Sequence, residues 1–182
     1  MTTPIQIDSQ QFIREVILRE IKTIVYSAEC ASAPYVKFIL IATGIEFLGA
    51  CGDAFSFEKN LQSEERFNHA LNTYFNKKYQ KFAKKDSSIN LYEDFRCAMI
   101  HQLRPTTKID LTERGKGNSH LQESASPLKL YLVLEDFYDD LEKAALKFLK
   151  MAGEGKISDV QKTKSNFLQI NPSSSGLTET VI

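Results

Sequence analysis

Residues 134–151 read LEDFYDDLEKAALKFLKM, and their spacing decides the fold class. Leu134, Phe137, Leu141, Ala144, Phe148 and Met151 recur at alternating intervals of three and four. That is the period of an amphipathic α-helix, with one apolar stripe for a core and charged residues for solvent. Gly153 and Gly155 follow the stripe and stop the helix. A stripe of this length needs apolar faces elsewhere in the chain to cover it.

Those faces lie towards the N-terminus. Phe12, Ile13, Val16, Ile17, Ile21, Ile24 and Val25 keep helical spacing, with Asp8 or Ser9 as the cap of a helix running to about Cys30. The segment AECASAP interrupts it, and Pro34 suits the first turn of a second helix. That helix is apolar on nearly every side (Val36, Phe38, Ile39, Ile41, Ile45, Phe47, Leu48), which predicts a central place in a bundle. Its Gly44, Gly49 and Ala50 would let a neighbour approach closely. A third helix starts near Ser63, buries Phe67, Leu71, Tyr74, Phe75 and Phe82, and ends at KKDSSIN. Asn90 and Glu93 form a cap-and-N3 pair that opens a fourth helix through His101; Pro105 fixes its exit.

Between the fourth helix and the last, KIDLTER, GKGN and SHLQE read as strand, turn and strand, a hairpin over residues 108–122. The alternating Leu128, Leu130, Leu132 and Leu134 fit either a further extended piece or the early turns of the last helix. The expected fold is mainly α: an up-and-down bundle of about five helices with one small β-hairpin between the last two core helices. It forms one domain over residues 1–155. A polar tail, 156–182, follows, with Phe167, Leu168 and Ile170 as its only apolar anchors.

Composition limits the functional classes. The chain has 182 residues, 42% of them hydrophobic, enough for a core without metal or disulfide staples. Its 23 basic and 23 acidic side chains cancel, which removes the signature of a strongly basic nucleic-acid binder and leaves only a local patch. Cys30, Cys51 and Cys97 are odd in number with no close pair, a pattern unlike a disulfide framework or a zinc site. MTTPIQIDSQ has neither the basic nor the apolar region of a leader peptide. The most apolar stretch, residues 36–51, carries Lys37 and Glu46 and reads as a core helix, not a membrane span. A soluble, cytoplasmic protein is expected.

Residues 90–105, NLYEDFRCAMIHQLRP, concentrate the chemistry: Arg96, four residues, His101, then Arg104. Here the sequence resembles the HEPN superfamily, small helical bundles of toxin–antitoxin and phage-defence systems whose hallmark is Arg, four to six residues, then His near the end of a late helix. The likeness covers residues 9–151 as architecture and about a dozen residues as motif. It implies an RNA-binding protein, acting as a metal-independent endoribonuclease with Arg96 and His101 catalytic at a homodimer cleft. Its other implication is a non-catalytic module for a nucleotide or an antitoxin-type protein partner. Catalytic members place a polar residue directly after the arginine; this chain has Cys97. No cofactor, metal or membrane is implied.

The residues themselves are consistent with that chemistry. Histidine moves protons near neutral pH, and arginine's planar fork stabilises phosphoryl charge. In an α-helix a spacing of five separates Arg96 and His101 by about 140°, so one helix alone makes a poor site. The structural alternative is that His101 complements the helix C-terminus and Arg96 pairs with Glu93 or another acid. Lys77, Lys81 and Lys84, with Tyr79 and Phe82 interleaved, form either a phosphate-tracking stripe or a solvated helix face. Arg104 would extend an RNA-binding surface. Glu135 and Asp139 lie one turn apart, a metal-ligand spacing that equally describes an acidic first turn. Glu46 either pairs within the core or tunes a neighbouring charge in a cleft. His69 and His120 stand alone, and GKGN is too short for a phosphate loop.

Overall fold

The structure is a computed structural model that describes residues 8–57 and 59–157. Helix α1 runs continuously through Ser9–Phe12, a π-wound stretch Ile13–Ile21, and Lys22–Tyr26. Asp8 caps it by accepting from the Gln11 N–H at 2.7 Å. Its inward row is Ile13, Ile17, Ile21 and Val25, all buried. Helix α2, Pro34–Gly52, starts with Pro34 in its first turn. Helix α3 is Ser63–Thr73, and Lys77–Phe82 makes a short 3-10 helix after it. Helix α4 comprises Leu91–Cys97, π-wound, and Ala98–Gln102. Helix α5 is Leu134–Gly153.

The central place expected of α2 is observed: it packs most extensively on α3 and next on α5. Two glycines explain the closeness. A Cβ at Gly49 would lie 1.8 Å from the Arg66 carbonyl oxygen, and one at Gly44 would lie 3.1 Å from Leu141 Cδ2. Phe67, Leu71, Phe95, Phe137, Leu141 and Phe148 close the core between these helices. Among the described residues α2 is the one helix long and apolar enough to cross a membrane, with 56% of its apolar window buried in the fold.

The strands differ from the expected hairpin. β1, Ile109–Thr112, pairs in parallel with β3, Leu128–Val133, while β2, Glu123–Ala125, pairs antiparallel with β3. The sheet order is β1–β3–β2, and the segment SHLQE is not the partner of β1. The physical reason is apolar content: Leu130 and Leu132 are fully buried, so the leucine-rich strand takes the centre. The two readings left open for residues 128–134 resolve as a strand that passes directly into α5. Gly115 and Gly117, at φ of 86° and 92°, shape the turn after β1, the backbone region that favours glycine. The domain thus ends its described part just beyond α5, at Ile157, and the anchors Phe167, Leu168 and Ile170 lie outside the described residues.

Candidate functional site

Helix α4 is held at both ends. Asn90 Oδ1 accepts from the N–H groups of Tyr92 and Glu93, at 2.8 and 3.2 Å. The reciprocal bond comes from Asp94, not from Glu93: its Oδ2 accepts from the Asn90 N–H at 2.9 Å. Glu93 is exposed. Asp94 is buried and also receives Thr106 Oγ1 at 2.9 Å and Lys108 Nζ at 3.2 Å, so one carboxylate ties the start of α4 to the chain leaving it. The helix ends at Leu103, whose φ of 58° is left-handed and costs a non-glycine residue about 1–2 kcal/mol.

Arg96 does not pair with Glu93. Its Nη2 lies 2.5 Å from Glu46 Oε2 of α2, with 15% and 19% of the two side chains exposed. Its guanidinium also sits 5.6 Å from the Tyr92 ring centroid. Among the described residues Glu46 Oε2 and Arg96 Nε are buried without a well-aligned hydrogen-bond partner, so the ion pair is close in distance and poorly matched in hydrogen bonds. The two residues border a surface cleft of about 250 Å³ with Thr43, Phe47, Ala50, Phe57 and Arg66. Burial, then a bond to Cys97, pushes the Tyr92 phenol up to about 12. The half-buried Cys97 thiol faces that phenol.

His101 and Arg104 are exposed at the far end of α4, and between them Leu103 is 67% exposed. The π winding up to Cys97 has a wider turn than an α-helix, so the 140° separation of an ideal helix does not describe this segment.

Of the two readings of the lysine run, the one with interleaved stacking aromatics loses its stacking surface. Tyr79 and Phe82 are buried and offer no stacking surface. Lys77 and Lys81 lie four apart on a 3-10 helix, where residues three apart align, and Lys84 falls beyond its end. Lys81 pairs with Glu123. The acidic run is likewise engaged: Glu135 accepts from the Arg114 N–H at 2.8 Å, and Asp139 from Arg114 Nη2 at 2.8 Å and Tyr26 Oη at 2.5 Å. Among the described residues no group of three or more His, Cys, Asp or Glu side chains could hold a metal.

Sequence reasoning missed one cluster. His120, 5% exposed in its side chain, has Nδ1 3.0 Å from the Val133 N–H, which donates to it. That leaves Nε2–H to donate to Tyr79 Oη at 2.7 Å, while the Tyr79 hydroxyl donates to Asp140 Oδ2 at 2.9 Å. Burial holds the imidazole neutral, its pKa lowered to about 4. Every partner in this relay is satisfied, which marks it as a clamp joining β3, the 3-10 helix and α5. Nothing in the spacing of His120, Tyr79 and Asp140 along the chain announces it.

Fold and site together define a mainly α-helical domain whose fourth helix carries a carboxylate-held arginine and an exposed terminal histidine. Comparison with protein-family models, with curated proteins and with solved structures gives no match.

Proposed function

We propose that the chain is a HEPN-like RNA-binding domain that works as a homodimer, with metal-independent endoribonucleolytic cleavage at the composite cleft. The observation that carries this reading is the disposition of α4, with Arg96 fixed at a cleft by Glu46 and His101 exposed at the helix end. In the reaction the ribose 2′-hydroxyl attacks the adjacent phosphorus and the bond to the 5′-oxygen breaks. His101 handles the proton transfers, and Arg96 steadies the charge on the phosphoryl oxygens. Arg104, exposed beside His101, adds a phosphate contact.

A second reading is a non-catalytic module for a nucleotide or an antitoxin-type protein. It is favoured by the same ion pair, because Glu46 neutralises much of the charge that Arg96 would offer, and by Cys97 at the position after Arg96. Binding separates RNA recognition from a purely protein-directed role. In fluorescence anisotropy with labelled single-stranded RNA, Arg96→Ala and Arg104→Ala each weaken binding by roughly tenfold, the worth of one charged hydrogen bond. Identical isotherms for wild type and both variants would contradict the RNA reading.

A further inference from the structure

We infer that the open edge of β1 is a docking strand for an extended segment of a partner protein, an inference independent of the RNA reading above. The sheet order leaves β1 with a single neighbour, β3. The Leu130 N–H donates to the Lys108 carbonyl at 2.8 Å, and the parallel register sets Ile109 beside Leu130. Peptide groups alternate in direction along a strand, so Asp110 and Thr112 turn theirs to β3 while Leu111 turns its own outward. Among the described residues nothing bonds the Leu111 N–H or carbonyl on that side, whereas the Ile109 N–H is taken by the Thr106 carbonyl at 3.1 Å. The open edge is thus centred on one residue.

A slot of about 330 Å³ lies along that edge, with Leu111, Thr112 and Glu113 on one side and Pro34, Tyr35 and Phe38 of α2 on the other. Successive side chains of a strand point to opposite faces, so a cavity touched by three residues in a row follows the edge and not a face. Phe38 is buried and Tyr35 is 50% exposed, which makes the slot apolar with an aromatic ring at its rim. Its end is held in place by Arg114, whose N–H donates to Glu135 at 2.8 Å and whose Nε and Nη2 donate to Asp136 and Asp139 at 3.0 and 2.8 Å. An unpaired edge beside an apolar slot is the arrangement that strand addition uses. Antiparallel addition suits this edge, because one incoming residue then exchanges both hydrogen bonds with Leu111. Ile109 is buried and Leu111 packs on the core, so the residue opposite Leu111 shares that face and is apolar. Two positions before it stands the residue opposite Glu113, and further N-terminal the one that passes Lys116. Among the described residues neither charge has an ion-pair partner. The complementary segment therefore carries a basic residue two places before its apolar one, and an acidic residue before that.

The test follows amide hydrogen exchange by NMR in the full chain, without and with the end-capped peptide Ser-Glu-Ser-Arg-Thr-Val-Thr-Val-Ser. In the free protein the Leu111 amide should exchange faster than those of Asp110 and Thr112. The peptide should slow Leu111 by about tenfold at a concentration ten times its Kd, and N-methylation of its first valine should remove the effect. Glu113→Lys should raise the Kd by roughly fivefold, and a peptide with Glu in place of Arg should recover binding to that variant. A Leu111 amide as slow as its neighbours in the free protein at every concentration would show the edge covered by the chain itself and overturn the proposal. Protection that rises with protein concentration alone would assign the edge to a second copy. No slowing at millimolar peptide, or equal slowing by the N-methylated peptide, would also refute strand addition. An unchanged charge preference in Glu113→Lys overturns the chemistry given to the segment.

Discussion

Glu46 of α2 and Arg96 of α4 meet at 2.5 Å, and each keeps a buried atom that no other group among the described residues satisfies. An ion pair so placed is held by geometry more than by its own energy, because desolvation offsets much of the attraction. Removing one partner is therefore worse than removing both. Arg96→Ala should lower stability by about 1–3 kcal/mol, leaving a half-buried carboxylate alone. The Glu46→Ala/Arg96→Ala double variant should lose less than the sum of the single changes. Chemical denaturation of the four proteins checks this, and strict additivity would show that the pair is not coupled.

The end of the same helix behaves differently. Leu103 combines a φ of 58° with 67% exposure, so its side chain gains little from burial and its backbone is strained. Leu103→Gly should raise the thermal midpoint, by the equivalent of about 1 kcal/mol. A drop of the midpoint would mean that the leucine packs more than its exposure implies.

Gly49 and Gly153 make a matched pair of tests on two helices. A Cβ at Gly49 meets the Arg66 carbonyl at 1.8 Å, whereas one at Gly153 meets nothing within 4 Å among the described residues. Gly49→Ala forces α2 and α3 apart and should cost about 3 kcal/mol or more. Gly153→Ala should be neutral or stabilising by up to about 1 kcal/mol. Melting curves of the two variants decide it; equal effects would disprove the close approach.

The buried His120 ties stability to pH. Its pKa in the folded protein is about 4, lowered first by burial, against 6.5 ordinarily. The unfolded chain therefore binds a proton between those values that the folded chain refuses. Stability from this group is fully present above pH 6.5 and falls as the pH drops towards 4, by an amount on the order of 3 kcal/mol. Denaturation midpoints measured from pH 7 to 4 should show that loss, and His120→Gln should flatten it. An unchanged slope in the variant would assign the loss to carboxylates instead.

What was legible in the sequence follows from what generates a period. The stripes of α1 and α5 and the all-apolar α2 are local patterns, so Asp8, Pro34 and Leu134 mark real boundaries. The sheet was misread because pairing is non-local: a parallel partner for Ile109–Thr112 lies beyond a turn and another strand. The two readings of the lysine run could not be separated in the sequence, because only the structure shows α3 stopping at Thr73 and a 3-10 helix turning Tyr79 inward. Arg96 and His101 could be singled out by residue type and spacing. Glu46 as the partner of Arg96 could not, since only the packing of α2 on α4 brings it there. The relay of His120, Tyr79 and Asp140 was invisible for the same reason, being assembled from three separate elements.

The central claim, that His101 and Arg96 act on RNA, is tested most directly by incubating single-stranded RNA with purified protein in excess chelator. Because side chains fill both proposed roles, wild-type protein should cleave and the chelator should not slow it. His101→Ala should abolish cleavage while its melting point stays within the range of an exposed substitution, about 0.5 kcal/mol. Arg96→Ala should reduce cleavage by about 100-fold or more. Intact RNA after prolonged incubation with wild-type protein, or cleavage undiminished in folded His101→Ala, would contradict the account.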